Sequence, residues 1–279
     1  NSGKGIRPAL TLLAGTFYNY NFNYLLPMAV SVELMHTATL VHDDAIDKSI
    51  VRRGQPTINK LWGEDTAILM GDYLFAKAGE FVSDTNNIRT IKLFSQTLGI
   101  ISSGELNQYI TAFKLEQTRE QYFQRISGKT ASLFCLSTES GAILSEAPEE
   151  AVKTLKDYGY NLGIAFQIVD DVFDFVSNEE TLGKPVGSDL EQGTLTLPAM
   201  LLVERYPLDN PVKSFFETRD ENSIKLAIDM VRDSSIINDC YTIASEYCAR
   251  AKNCLESLPE SPSMRILRDL ADFIIDREE

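Results

Sequence analysis

Residues 149–177 read EEAVKTLKDYGYNLGIAFQIVDDVFDFVS, and this stretch decides the fold class. Apolar side chains recur every three or four positions along it, and Pro148 stands where a helix would begin. The members of this apolar face are Leu155, Tyr158, Leu162, Ala165, Phe166, Val169, Val172, Phe173 and Val176. The spacing predicts a long amphipathic helix that buries a broad apolar face against other helices.

The same helical period continues through most of the chain. It predicts helices over 28–47, 64–83, 119–146, 195–205, 222–233, 236–257 and 262–277. Breakers cluster at 54–57, 183–187 and 207–211, where no run is long enough for a flexible linker, and sustained period-two alternation is absent from the sequence. We therefore predict an all-α protein, one large domain over residues 1–279 with roughly ten helices.

The composition excludes several classes of protein. Of the 279 residues, 44% are apolar and 24% are charged, which is typical of a folded globular protein. The 26 basic and 40 acidic residues give a formal charge of −14, so the surface would repel nucleic acid and anionic lipid. A bound anion would need a local basic site or a bridging metal cation.

The cysteines and the chain ends carry little information. The four cysteines, at 135, 240, 248 and 254, have neither zinc-site nor disulfide spacing, so we expect buried thiols in a reducing compartment. No run of ~18 apolar residues predicts a membrane span, and no charged-then-apolar leader opens the chain. We expect a cytoplasmic protein. The start at Asn1, close to the GKGIRP segment at 3–8, suggests that an N-terminal segment is missing.

Two copies of the pattern Asp-Asp-x-x-Asp lie inside predicted helices. The copies consist of Asp43, Asp44 and Asp47, and of Asp170, Asp171 and Asp174. The first and last positions of each copy are about 40° apart around a helix, so their carboxylates can face one object. Apolar flanks make such like charges costly, and Mg²⁺ ions bridged to a diphosphate would compensate them. A single copy could equally be a solvent-exposed helix face instead of a metal site, but that interpretation explains two copies poorly.

Basic residues stand near both acidic motifs. They are Lys4, Arg7, Arg52, Arg53, Lys129 and Lys184. In an acidic protein this placement predicts anion binding, although each alone could be a surface cation. Gly128-Lys129-Thr130 is not a nucleotide phosphate loop, because Phe123 stands where that motif needs its first glycine. Only His36 and His42 are histidines, and we interpret His36 as a packing residue.

These residues resemble the trans-prenyl diphosphate synthases, or polyprenyl synthetases. The matching segments, in family order over about residues 3–198, are 3–8 (GKGIRP), 36–47 (HTATLVHDDAID), 52–57 (RRGQPT), 71–74 (GDYL), 128–131 (GKTA), Gln167 with 170–174 (DDVFD), 183–185 (GKP) and 197–198 (LP). The resemblance implies an isoprenoid synthase fold with helices around a central cavity, a homodimer, and a need for two or three Mg²⁺ ions. It also implies head-to-tail condensation of isopentenyl diphosphate with an allylic diphosphate.

The resemblance further implies roles for individual residues. The implied Mg²⁺ ligands are Asp43, Asp47, Asp170 and Asp174, supported by Asp44 and Asp171. Lys129 and Lys184 would act with these six aspartates in catalysis. The allylic diphosphate would be held by Arg52, Lys129, Thr130, Gln167 and Lys184. The isopentenyl diphosphate would be held by Lys4, Arg7 and Arg53.

The sequence departs from the family at two positions. The family commonly has a lysine where Thr194 stands and a histidine near Leu25, so we expect weaker diphosphate binding but intact chemistry. In the family, bulky aromatic residues four or five positions before the first aspartate give short products. Here Ala38 and Thr39 are small and Met35 is flexible, so we expect a medium- or long-chain polyprenyl product, beyond fifteen carbons.

Several alternatives stay open. A farnesyl or geranylgeranyl diphosphate synthase would share the same motifs, and so would the catalytic subunit of a heteromeric synthase. A terpene cyclase needs only one diphosphate site, so the second set of cations disfavours it. A noncatalytic partner subunit would be expected to lose acidic motifs, and both are intact here.

Overall fold

A computed structural model describes residues 5–176, 186–208 and 210–277. The helices are α1 (Ile6–Gly15), α2 (Phe22–Ile46), α3 (Ile58–Trp62), α4 (Glu64–Asp84), α5 (Ile88–Thr111), α6 (Arg119–Ile126), α7 (Ser132–Leu144), α8 (Glu149–Val176), α9 (Ser188–Glu191), α10 (Leu197–Arg205), α11 (Pro211–Thr218), α12 (Glu221–Arg232), α13 (Ile236–Cys254) and α14 (Pro262–Asp276). A π-helical turn, Ser127–Ala131, joins α6 to α7, and a 3₁₀ turn, Leu255–Ser257, follows α13. The all-α prediction is confirmed, with more helices than predicted.

Side-chain caps explain where several helices begin. Asn21, Asn87 and Ser261 precede α2, α5 and α14, and each side chain accepts a hydrogen bond from a backbone N–H of the first turn. The α6 helix begins with a reciprocal pair between Thr118 and Gln121. The Asn21 cap places the start of α2 six residues before the position that hydrophobic spacing predicts.

The α7 helix lies at the centre of the molecule. It packs against α1, α2, α5 and α8, and residues 136–144 are all buried. Small and apolar side chains on every side suit a helix that has no solvent face. The two long helices that flank α7, α2 and α8, carry the two aspartate motifs at their C-terminal ends.

Two polar contacts fix α2 antiparallel to α4. Ser31 Oγ donates to the Ala78 carbonyl oxygen at 2.8 Å, and His42 Nε2 lies 3.0 Å from the Ile68 carbonyl oxygen. A Cβ on Gly71 would lie 2.1 Å from the His42 ring, so glycine is required for this approach. The contact fixes the position of α2 immediately before the first aspartate motif.

Two short strands complete the architecture within the described ranges. β1 (Val51–Arg52) and β2 (Gln55–Pro56) pair antiparallel, and the turn residues Arg53 and Gly54 both have a left-handed backbone, with φ of 52° and 73°. Two successive residues with positive φ are typical of the tight hairpin turns that match strand twist. This hairpin comes after the first aspartate motif and brings its two arginines close to the site.

The described part of the chain contains no disulfide. Cys240 and Cys248 are buried as predicted, but Cys135 and Cys254 are half-buried, so the prediction that all four are buried is wrong. The cytoplasmic location stays a prediction. By length and composition α2 could cross a membrane, which the sequence did not lead us to expect. Its packing against α1, α4 and α7 is that of a core helix.

Candidate active site

The first aspartate motif lies at the C-terminal end of α2. Asp43 is half-buried, and Asp47 is exposed at the residue that caps the helix. Asp44 is buried, and both of its carboxylate oxygens accept hydrogen bonds from Arg52 Nε, at 2.8 and 2.9 Å. Asp44 therefore orients Arg52, while the other two carboxylates are directed to a cavity that both motifs share.

The second motif lies at the C-terminal end of α8, where only its first aspartate is accessible. Asp170 is half-buried, whereas Asp171 and Asp174 are buried. Asp174 accepts hydrogen bonds from Ser188 Oγ at 2.9 Å and from the Asp189 N–H at 3.1 Å. Its carboxylate therefore anchors the start of α9, and its role as a metal ligand stays a prediction.

Both motifs line one cavity of about 350 Å³, called here the polar cavity. Its charged side chains include Asp43, Asp47, Asp170, Asp189, Arg52 and Lys129. Burial raises the pKa of Asp47, and the like charges of Asp43 and Asp189 raise it further. Within the described ranges no three carboxylate, imidazole or thiol groups stand close enough to hold one ion alone. A hard cation here would therefore share its ligands between these carboxylates and a further oxygen donor such as a phosphate.

The π-helical turn brings Lys129 into the polar cavity. This turn interrupts the single helix predicted over 119–146, and such turns are frequent at functional sites. Lys129 Nζ lies 3.8 Å from Asp43 Oδ2 and 2.8 Å from Glu105 Oε1. Burial opposes the ammonium charge, but the two carboxylates outweigh it and raise the pKa of Lys129. Sequence reasoning missed Glu105, which has no motif of its own.

A chain of hydrogen bonds links the π-helical turn to the second motif. Thr130 Oγ1 donates to Gln167 Oε1, and Gln167 Nε2 donates to Asp171 Oδ1 at 2.8 Å. Tyr122 OH donates to Asp171 Oδ2 at 2.7 Å. Burial raises the pKa of Asp171 to about 7, against these hydrogen bonds. Asp171 therefore orients Gln167 and Thr130, both of which line the polar cavity as predicted.

A second basic group consists of Arg7, His36 and Arg53. Burial lowers the pKa of His36 to about 2, and Arg7 and Arg53 are the nearest charges that lower it further. Burial also lowers the pKa of Arg7 to about 10, against the carboxylates of Glu33 and Asp170, and Arg53 lowers it slightly further. Arg7 Nε is buried and has no hydrogen-bond partner in the described part of the chain. Arg7 and His36 are half-buried and Arg53 is exposed, and a group of this kind with an unpartnered guanidinium nitrogen is suited to bind an anion.

Leu25 does not belong to this group. Leu25 is fully buried in the apolar cluster between α2, α4, α5 and α7, and it contacts the Gly15 backbone region so closely that a Cβ there would lie 2.5 Å away. It lies about 16 Å along α2 from His36. The imidazole of His36, in contrast, is affected by the charges of Arg7 and Arg53. The expected loss of one donor for the isopentenyl diphosphate stays a prediction.

Two further site residues escaped the sequence analysis. The Arg277 side chain is 4% exposed and donates to Asp170 Oδ1 at 2.6 Å and to the Phe166 carbonyl oxygen at 2.9 Å. Its guanidinium also stacks 4.1 Å from the Phe166 ring centroid. Asp189 lines the polar cavity at the start of α9. Neither residue belongs to a repeated pattern, so only the fold could reveal them.

Two of the predicted site residues are outside the part of the chain that the structure describes. They are Lys4 and Lys184. Thr194, which stands where the family commonly has a lysine, lines the polar cavity together with Asp47, so this departure does lie at the site.

A second cavity of about 510 Å³, called here the apolar pocket, adjoins the polar cavity. The two share Asp43, Asp47, Gln108 and Thr194. The side chains that wall the pocket include Thr39, Phe75, Ile101, Leu106 and Tyr109. Thr39 is therefore where the chain-length prediction needs it. Met35 and Ala38 are fully buried and outside this lining, so their part in chain length stays a prediction.

An all-α bundle with two aspartate-bearing helices, a cation-lined cavity and an adjoining apolar pocket defines an isoprenoid synthase. The neighbours in structure share this fold. The Polyprenyl synthetase family model matches residues 1–231, and the chain belongs to this family.

Among curated relatives, the chain is 37% identical over 276 residues to heptaprenyl diphosphate synthase component 2 of Geobacillus stearothermophilus, covering 99% of this chain and 86% of that protein. The crystal structure of heptaprenyl diphosphate synthase from Staphylococcus aureus superposes with a TM-score of 0.96 at 38% identity, covering 100% and 88%. A polyprenyl synthase from Caulobacter crescentus CB15, complexed with calcium and isoprenyl diphosphate, superposes with a TM-score of 0.94 at 32% identity, covering 100% and 86%.

Proposed function

We propose that this prenyltransferase condenses isopentenyl diphosphate head-to-tail with an allylic diphosphate and makes a medium- or long-chain polyprenyl diphosphate. The observation that carries the proposal is the junction of the two cavities at Asp43 and Asp47. Charged groups for a diphosphate stand on one side of this junction, and apolar walls for a hydrocarbon chain stand on the other.

The donor set of the polar cavity fits Mg²⁺. Asp43, Asp47 and Asp170 present carboxylate oxygens to one space. The pKa of Asp47 is raised first by burial and further by the like charges of Asp43 and Asp189, and a divalent cation would relieve that repulsion. These three residues would hold two or three ions together with the allylic diphosphate. When bound, the ions would supply positive charge to the departing diphosphate. The calcium and isoprenyl diphosphate in the Caulobacter crescentus structure support this assignment.

The proposed reaction begins with loss of the allylic diphosphate. The bond between C1 and oxygen breaks, and both electrons leave with the oxygen. Arg52, oriented by Asp44, and Lys129 place positive charge beside the leaving group. On the same wall Thr130 orients Gln167, whose second amide N–H can donate to the diphosphate. The apolar pocket keeps water from the allylic cation.

The basic group of Arg7, His36 and Arg53 holds the isopentenyl diphosphate in this proposal, and Lys4 remains a predicted fourth member. The double-bond electrons of the isopentenyl group form the new carbon–carbon bond with C1 of the allylic cation. The proton lost from C2 of that group passes to the released diphosphate, which is left beside it. A second diphosphate site of this kind disfavours the terpene cyclase alternative.

The walls of the apolar pocket support a product beyond fifteen carbons. Thr39 stands one turn before Asp43 and leaves space that an aromatic side chain would fill, so Phe75 on α4 and Ile101 on α5 become the next barriers to the growing chain. The heptaprenyl names of the Geobacillus stearothermophilus and Staphylococcus aureus relatives favour the same range.

We propose a homodimer formed through α4 and α5. Both helices expose apolar residues, including Leu69, which is 67% exposed, and Tyr109, which is 78% exposed. Tyr109 and Leu106 also line the apolar pocket, so a second copy on this face would close the pocket rim. A heteromeric synthase is the second candidate, because the Geobacillus stearothermophilus relative is named a component of its synthase.

One experiment tests the reaction, the product and the assembly. The purified chain is incubated with labelled isopentenyl diphosphate, allylic primers of ten, fifteen and twenty carbons, and Mg²⁺, and the lipid products are sized by chromatography. The mass in solution is measured by light scattering on the same sample. Elongated products from a dimer support the proposal. A folded chain that makes no product alone supports the heteromeric candidate, and farnesyl diphosphate as sole product contradicts the proposed length.

A further inference from the structure

The pair of Glu105 and Lys129 spans the boundary between the two cavities. Glu105 is on α5 and Lys129 is on the π-helical turn, and their charged groups are 2.8 Å apart. Both side chains are largely buried, with 25% and 31% of their surface exposed. Burying two charges is costly, so this pair would be expected to serve more than stability.

The two charges of the pair are directed to different spaces. In the described part of the chain, Lys129 lines the polar cavity and Glu105 does not, whereas Glu105 lines the apolar pocket and Lys129 does not. The positive end of the pair therefore borders the proposed diphosphate site, beside Asp43. The negative end borders the space for the first carbons of the allylic chain, where Thr39 and Phe75 form the wall.

Ionisation of the allylic substrate separates charge in the same direction. As the bond from C1 to oxygen breaks, negative charge grows on the diphosphate and positive charge spreads over the allylic carbons. We propose that Glu105 stabilises this allylic cation electrostatically, while its partner Lys129 stabilises the departing diphosphate. This inference rests on the proposed function. Since the allylic carbons are uncharged before ionisation, the carboxylate would stabilise the transition state and not the bound substrate.

The substitution Glu105→Gln removes the negative charge and keeps the shape. We expect kcat to fall at least about tenfold, without an increase in the KM for the allylic diphosphate. Binding of inorganic diphosphate with Mg²⁺, measured by calorimetry, should be unchanged or tighter, since a nearby negative charge is lost. Glu105→Asp keeps the charge and should stay within about threefold of the wild-type kcat. Glu204→Gln, at an exposed ion pair with Arg119, is the matched control and should match the wild type.

Several results would overturn the inference. Equal losses of kcat in Glu105→Gln and Glu105→Asp would show that shape matters and charge does not. A raised allylic KM, with weaker diphosphate binding, would show that Glu105 only orients Lys129. An unchanged kcat in an active Glu105→Gln enzyme would refute the role of the carboxylate and leave the proposed function intact. A wild-type chain that makes no product alone would instead contradict the proposed homodimeric enzyme and favour the heteromeric candidate.

Discussion

Asp171 should make the stability of the metal-free protein fall as the pH rises. Its carboxyl is enclosed by Tyr122 and Gln167, and burial raises its pKa to about 7, from 3.8 in the unfolded chain. Between these two values the folded protein holds one more proton than the unfolded chain does. Stability from this group is therefore fully present below about pH 4 and is lost as the pH rises through about 7.

The size of the effect is set by the two pKa values. A shift of about three units corresponds to about 4 kcal/mol, and the part that falls between pH 5 and pH 8 is about 3 kcal/mol. Asp171→Asn cannot ionise, yet its amide can still accept from Tyr122 OH if the Gln167 amide reverses. The free energy of unfolding of this variant, relative to wild type, should therefore rise by about 3 kcal/mol between pH 5 and pH 8.

The measurement is urea unfolding monitored by circular dichroism, at fixed protein concentration with EDTA present. EDTA is needed because a cation at the neighbouring Asp170 would favour ionised carboxylates. Asp272→Asn, at the exposed ion pair with Lys252, is the matched control and should keep the wild-type pH dependence. Parallel pH profiles for wild type and Asp171→Asn would refute the reasoning, since they would show that Asp171 is ionised in the folded protein at little cost.

Three other substitutions test different parts of the site. Thr194→Lys should lower the KM for the allylic diphosphate several-fold, because it adds a cation to the polar cavity. If steady-state kinetics show no fall in this KM, the threonine at this position does not weaken diphosphate binding. Phe75→Ala should lengthen the products sized by chromatography, because it removes a wall of the apolar pocket, and an unchanged distribution would place the barrier elsewhere. Arg277→Gln should tighten Mn²⁺ binding by about tenfold in calorimetry, because the arginine competes for the Asp170 carboxylate, and weaker binding would contradict this competition.

The sequence predicts the fold class well because helical spacing is a local property. The predicted helix over 149–177 matches α8 within one residue, and the one over 64–83 matches α4 equally well. The α5 helix was missed, since Gly99 and Gly104 interrupt its apolar spacing and several of its large side chains face solvent. Missing α5 also meant missing Glu105, because its approach to Lys129 depends on how two distant segments pack.

The sequence predicts site residues where residue type and helical spacing point to the same positions. It does not predict the surroundings of a residue that depend on how neighbouring helices and loops pack. Asp43, Asp47 and Asp170 are placed together as predicted. His36 shows a limit of the sequence, which gives its polar character but not the charges of two arginines, on α1 and in the hairpin, that act on it. Leu25 shows a related limit, since an apolar core position and a site position on one helix look alike until the partners of α2 are known.

The two aspartate motifs have the same sequence pattern, yet they present different aspartates to the polar cavity. In each, the second aspartate is about 100° from the first around the helix and faces the protein, where Asp44 meets Arg52 and Asp171 meets Tyr122. The third aspartate differs because the two helices lead into different elements. The hairpin after α2 leaves Asp47 exposed beside the polar cavity, whereas α9 folds back after α8 and uses Asp174 to hold its own first turn. The first motif therefore offers Asp43 and Asp47 to the polar cavity, whereas the second offers Asp170, and Asp189 of α9 stands on that side in place of Asp174.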